Sequence, residues 1–143
     1  MPSPVVSHWE MGVLDRIRAK INDFPGYGSE PDLITSDEEL RAYVGERLVA
    51  LRDRLDQERP GTDDQLQSLV VRSAFANQRA LAPLEWSRES VDGSGLLDAD
   101  EALLDLADAA STVTATQLDA YVARVTAAFD ARDAALLRAG ALG

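Results

Sequence analysis

There is no cysteine in the 143 residues, and only one histidine and one lysine. The first absence removes disulfides, thiolate metal sites and a cysteine nucleophile together. His8, the single histidine, rules out most metal chemistry. A ferritin-like di-iron site needs a Glu-x-x-His pair on each of two helices, and zinc hydrolase sites need two or more histidines. Beside a helix start it reads as an exposed first-turn residue. Lys20 lies on or near an apolar helix face. It is expected to lay its stem along the core edge and reach water with its ammonium group. Long apolar runs are missing as well, so no segment suits a membrane span. Met1–Ser7 has no basic n-region, and a cytoplasmic location is expected. Basic residues are few against acids, 14 to 25, giving a net charge of −11. That balance disfavours duplex nucleic acid and anionic membranes, both of which are bound through cationic side chains. It leaves a cation or a basic protein patch as the preferred partner, while also serving solubility.

Apolar residues make up 45% of the chain and charged residues 27%. These are globular values, and the length suits one domain, residues 1–143, with 1–6 and 140–143 as flexible ends. The periodicity is helical throughout, with no alternation of useful length. Ser7 with Glu10 opens a first helix carrying Val13, Leu14, Ile17, Ile21 and Phe24, ended by Pro25-Gly26. After an irregular connection in which Leu33 and Ile34 tuck against the core, Thr35 or Ser36 is expected to open the second helix. Asp37, Glu38 and Glu39 then favour its positive end. Its stripe is Leu40, Val44, Leu48, Leu51 and Leu55, stopped by Arg59-Pro60-Gly61. Thr62 with Gln65 opens the third, whose face holds Leu66, Leu69, Val70, Ser73, Asn77, Leu81 and Leu84, with Pro83 near its end. The pattern does not decide whether 84–89 is helical. A shorter fourth helix runs from about Leu97 to Ala110. Thr114 with Gln117 caps a fifth carrying Leu118, Tyr121, Val122, Val125, Phe129 and Leu136. Short connections favour antiparallel neighbours, so the expected fold is all-α. It is an up-down antiparallel bundle of four main helices with a shorter helical segment added.

Three polar residues fall within apolar stripes. Ser73 and Asn77 interrupt the third helix, and Arg132 stands between Phe129 and Leu136 on the fifth. A buried amide or guanidinium must be paired, so these positions mark an interhelix contact that fixes register, a subunit boundary or a small pocket. Asp98, Glu101, Asp105 and Asp108 are spaced 3, 4 and 3 on one side of the fourth helix. Such a series could serve magnesium, but Leu96, Leu103, Ala107 and Ala110 occupy the other side, which makes the acids a solvated face.

Residues 90–101 resemble a twelve-residue EF-hand calcium loop. Asp92 and Ser94 stand at the third and fifth positions, Gly95 at the sharp-turn sixth, Leu97 at the apolar eighth, Asp98 at the ninth and Glu101 at the twelfth. The resemblance implies calcium ligation by Asp92, Ser94, Asp98 and Glu101. The pattern departs at the first position, where Ser90 replaces a carboxylate, and no second loop accompanies it.

The leading expectation is a non-enzymatic interaction protein without a cofactor, acting by self-association or by binding a partner protein. Helix five also carries Ala120, Ala123, Ala127, Ala128, Ala131, Ala134 and Ala135, which permit close helix approach and equally reflect helix propensity. A calcium module built on 90–101 is the alternative. A magnesium-dependent helical enzyme using clustered carboxylates is the second.

Overall fold

A computed structural model describes residues 8–58, 60, 64–75 and 94–139. The fold is all-α. The described helices are α1 (His8–Lys20), α2 (Glu30–Glu58), α3 (Asp64–Phe75), α4 (Leu96–Ala109) and α5 (Leu118–Arg138), with two short 3₁₀ turns between α4 and α5. No strand occurs among the described residues, and no described helix is long and apolar enough to cross a membrane. Asn77, Leu81, Leu84, the 84–89 question and the two terminal segments lie outside the described residues.

The stripes face inward. Leu40, Val44, Leu48, Leu51 and Leu55 of α2 are all buried, as are Leu66 and Leu69 of α3 and Leu118, Tyr121, Val125, Phe129 and Leu136 of α5. Val13 and Ile17 of α1 and Leu96, Leu103, Leu104 and Ala107 of α4 complete one core. Deleting any of these large side chains leaves a cavity, which costs about 2–5 kcal/mol for a leucine.

Side-chain pairings give the direction of each helix. Arg41 of α2 reaches Ser73 and Ala74 of α3, while Arg52 reaches Gln67, so the two run antiparallel. Asp100 pairs with Arg132 and the Leu106 carbonyl with Tyr121, so α4 and α5 are antiparallel too. The connection from α1 to α2 behaves differently. Arg16 meets Glu101 and Lys20 meets Asp105 and Asp108, so α1 runs in the same sense as α4. Tyr43 at Asp108 and Arg54 at Ala110 and Val113 give α2 that sense as well. The chain reverses within 21–29 itself, where Arg18 donates to the carbonyl of Phe24 at 2.8 Å and Ser36 to that of Gly26 at 2.6 Å. Gly26 takes φ +84°, a left-handed conformation open to glycine.

Helix α2 starts at Glu30, ahead of the Thr35 or Ser36 expected from the sequence. Ser29 is its cap, its Oγ accepting from the Asp32 amide at 3.3 Å. Pro31 is the second helical residue, where its missing N–H would have no intrahelical partner. The earlier start buries Leu33 but leaves Ile34 exposed. It also moves Asp37 out of the first turn and onto the buried face.

Candidate functional site

Among the described residues, two acids and two arginines lie inside this bundle. Arg132 is fully buried and donates from Nε to Asp100 Oδ1 at 2.6 Å and from Nη1 to Asp37 Oδ1 at 2.7 Å. Arg41 donates from Nε to the other oxygen of Asp37 at 2.8 Å. The second oxygen of Asp100 accepts from the Tyr27 hydroxyl. Both carboxylates therefore use both oxygens, and the buried charge sums to zero. Burial pushes the Asp100 carboxyl up, against the attraction of Arg132. Burial also drives the Tyr27 phenol well above its ordinary value, helped by neighbouring Asp100.

Arg132 had a visible signal, a cation on an apolar stripe. Its partners carried the same signal and the sequence reading missed it. Asp37 falls between Leu33 and Leu40, and Asp100 between Leu96 and Leu103, each at the 4, 3 spacing of a buried helix face. Arg41 follows Asp37 by one turn. Tyr27, in the connection before α2, carried no periodic signal.

The network ends beneath a surface groove. Arg41 also donates from Nη1 to the carbonyls of Ser73 (3.1 Å) and Ala74 (2.8 Å) in the last turn of α3. Arg41, Ser73 and Ala74 line an open groove of about 450 Å³ between α2 and α3, with Ala42, Gly45 and Val49 in its floor and Glu38 and Glu46 on its rim. The helices approach closely at its centre. A Cβ on Gly45 would lie 2.9 Å from Ser73 Oγ, which itself donates to the Val70 carbonyl at 2.7 Å. Ser73 is thus placed at the α2–α3 contact, Arg132 in the core, and Asn77 beyond the described residues.

The acids of α4 are not a simple solvated face. Glu101 pairs with Arg16, and Asp108 accepts from Lys20 and from the Tyr43 hydroxyl and lies 3.5 Å from Arg47 Nε. Asp105 reaches Lys20 at 3.4 Å. They form a charged seam against α1 and α2, with the Arg47 guanidinium stacked 3.3 Å from the Tyr43 ring centroid. Asp98 stays exposed at its end. Among the described residues no group of three or more carboxylates or histidines is arranged to hold a metal.

Of the residues in the calcium-loop resemblance, Ser90 and Asp92 lie outside the described residues. Ser94 Oγ accepts from the Leu96 amide at 3.1 Å, and its carbonyl accepts from Arg138 Nη2 at 2.8 Å. Helix α4 begins at Leu96, the seventh loop position, whose carbonyl a calcium loop turns toward the ion. Here that carbonyl points along the helix axis. With Glu101 held by Arg16, 94–101 is a turn and a helix start. Gly95 supplies the left-handed residue at φ +80°.

A second cleft, of about 480 Å³, separates α2 from α4 near Arg47, Arg54 and Ser111. Its arginines are already engaged. Arg54 donates to the carbonyls of Ala110 and Val113 at 2.8 and 2.9 Å, and Arg47 faces Asp108. No family model, curated protein or solved structure matches the chain.

Proposed function

We propose that this protein is a non-enzymatic interaction module that presents its α2–α3 face to another polypeptide. The observation that carries this reading is the groove between the two helices, where Arg41 ties α2 to the end of α3 and joins the lining to the neutralised ion-pair network. The buried polar groups support it from the other direction. Arg41, Asp37, Arg132, Asp100 and Tyr27 are joined in one chain of hydrogen bonds, and groups engaged in this way hold helices in register. The groove is lined by small and apolar side chains with carboxylates at the edge, the arrangement of a protein-binding surface with a polar rim.

A photo-crosslinking amino acid at Ala42, in the groove, and at Ala123, exposed on α5, tests this in the native cell. A discrete adduct is expected at 42 and not at 123. The adduct's partner, purified and recombined with the protein, should crosslink again at 42. Equal labelling at both positions, or none at 42, contradicts the reading. An adduct with a second copy of this chain would identify self-association.

A further inference from the structure

We infer that the occupant of the α2–α3 groove is a single amphipathic helix of another protein, with an apolar ridge and cationic side chains about two turns apart. This rests on the interaction reading above and specifies its partner.

Length comes from the walls. The residues of α2 that line the groove run from Glu38 to Val49, a step of eleven residues, about 16 Å or three helical turns. Within that length Arg41 ties α2 to the Ser73 and Ala74 carbonyls. The floor between is low, because Ala42, Gly45 and Ala74 project little and the Gly45–Ser73 approach brings the helices together. A ridge of larger apolar side chains fits over such a floor as helices pack ridge into groove. An extended strand has no counterpart here. The amides and carbonyls of the two walls are used within their own helices or, at Ser73 and Ala74, by Arg41, so no sheet edge is offered for strand addition.

Charge selects the flanks. Glu38 and Glu46 are exposed on the rim, eight residues apart, about 12 Å along the axis. Glu38 has no ion pair among the described residues, and Glu46 only a 3.7 Å approach to neighbouring Arg47. The cation lining the groove, Arg41, is neutralised by Asp37. The rim is therefore negative on a protein of net charge −11. Lysine or arginine at i and i+7 of a docked helix matches both acids. A second copy laid face to face would set Glu38 and Glu46 against their own equivalents, and like charges oppose that pairing.

The test uses the full-length protein and two fluorescein-labelled helical peptides of about 18 residues, long enough to hold helix. They share a leucine-alanine stripe and differ only in flanking lysines or glutamates. Anisotropy at about 0.15 M salt should show the lysine peptide binding at least about tenfold tighter. Glu38→Lys/Glu46→Lys should reverse the preference, and Ala42→Trp should abolish binding of both peptides, with unchanged circular dichroism in each variant. The inference is overturned if the lysine peptide binds Ala42→Trp as well as the parent, if the charge reversal leaves its affinity unchanged, or if neither peptide saturates. Should the Ala42 crosslink capture a partner through an acidic or non-helical segment, the partner class falls while the interaction reading stands. Should there be no adduct either, both fall.

Discussion

Arg132 concentrates the residue-scale physics. Its guanidinium lies in the core and holds acids from two other helices. Taking away one member of such a buried set leaves its partner charged and unpaired, at about 3–5 kcal/mol. Arg132→Met is expected to cost that much in urea unfolding, and Asp100→Leu a similar amount. The double variant should recover a large share, because neither charge is then stranded and Asp37 keeps Arg41. Strict additivity, within about 0.5 kcal/mol, would mean the two residues are not coupled. Gly45 gives a second test, one of sign. Alanine is worth about 1 kcal/mol more than glycine inside a helix, yet a Cβ there meets Ser73 Oγ at 2.9 Å. Gly45→Ala should destabilise by about 1–2 kcal/mol through overpacking. In a Ser73→Ala background the same change should be neutral or stabilising. Destabilisation in both backgrounds would remove Ser73 as the obstacle. At this scale the sequence was half legible: a polar residue on an apolar stripe flagged Ser73 and Arg132. Asp37 and Asp100 hid because each stands among other acids near a helix start, where the dipole accounts for negative charge.

Among the elements, the apolar stripes of α2 and α5 and the Thr114–Gln117 start were legible, the Thr114 amide donating to Gln117 Oε1 at 3.0 Å. The start of α2 was not, since two glycines and a proline before it read as loop, while Pro31 is at home in a first turn. The charged seam of α4 needed tertiary knowledge, because the cations that hold it come from α1 and α2. That seam sets the acid response. Arg16 donates to Glu101 and holds its carboxyl below its ordinary value of 4.5. Burial pushes Asp108 up, but Lys20 and Tyr43 donate to it, and the balance holds it below 3.8. Groups lowered by folding contribute stability above their unfolded pKa and lose it as pH falls through the folded one. Asp100 has the opposite sign: raised in the fold, it binds its proton more readily there, so its term weakens stability as pH climbs from 3.8 to its folded value. The urea midpoint should therefore fall between about pH 5 and pH 3, and fall less steeply in Glu101→Gln and in Asp108→Asn. Asp100→Asn should not flatten that limb. An acid limb as steep in both seam variants as in the parent would place the titrating groups elsewhere.

At the scale of the whole molecule, helical periodicity established the all-α class, and short connections established two antiparallel pairs. The parallel run of α1 with α4 lay beyond them, because a nine-residue connection is long enough to double back by itself. The groove was equally out of reach. It is made by the distance between two helices, and its floor of alanine, glycine and valine looks in the sequence like ordinary helix surface. What the fold does supply is a single linked arrangement, in which the core network orders Asp37, Asp37 orders Arg41, and Arg41 fixes the end of α3 that borders the groove. The most direct measurement of the central claim is the affinity of the crosslinked and purified partner for Ala42→Trp and for Ala123→Trp, by calorimetry. Both positions are exposed alanines on helices, so both variants should fold as the parent does. The account predicts a loss of about tenfold or more for Ala42→Trp, at least about 1.4 kcal/mol, and no change for Ala123→Trp. Equal affinity in the two variants would contradict it.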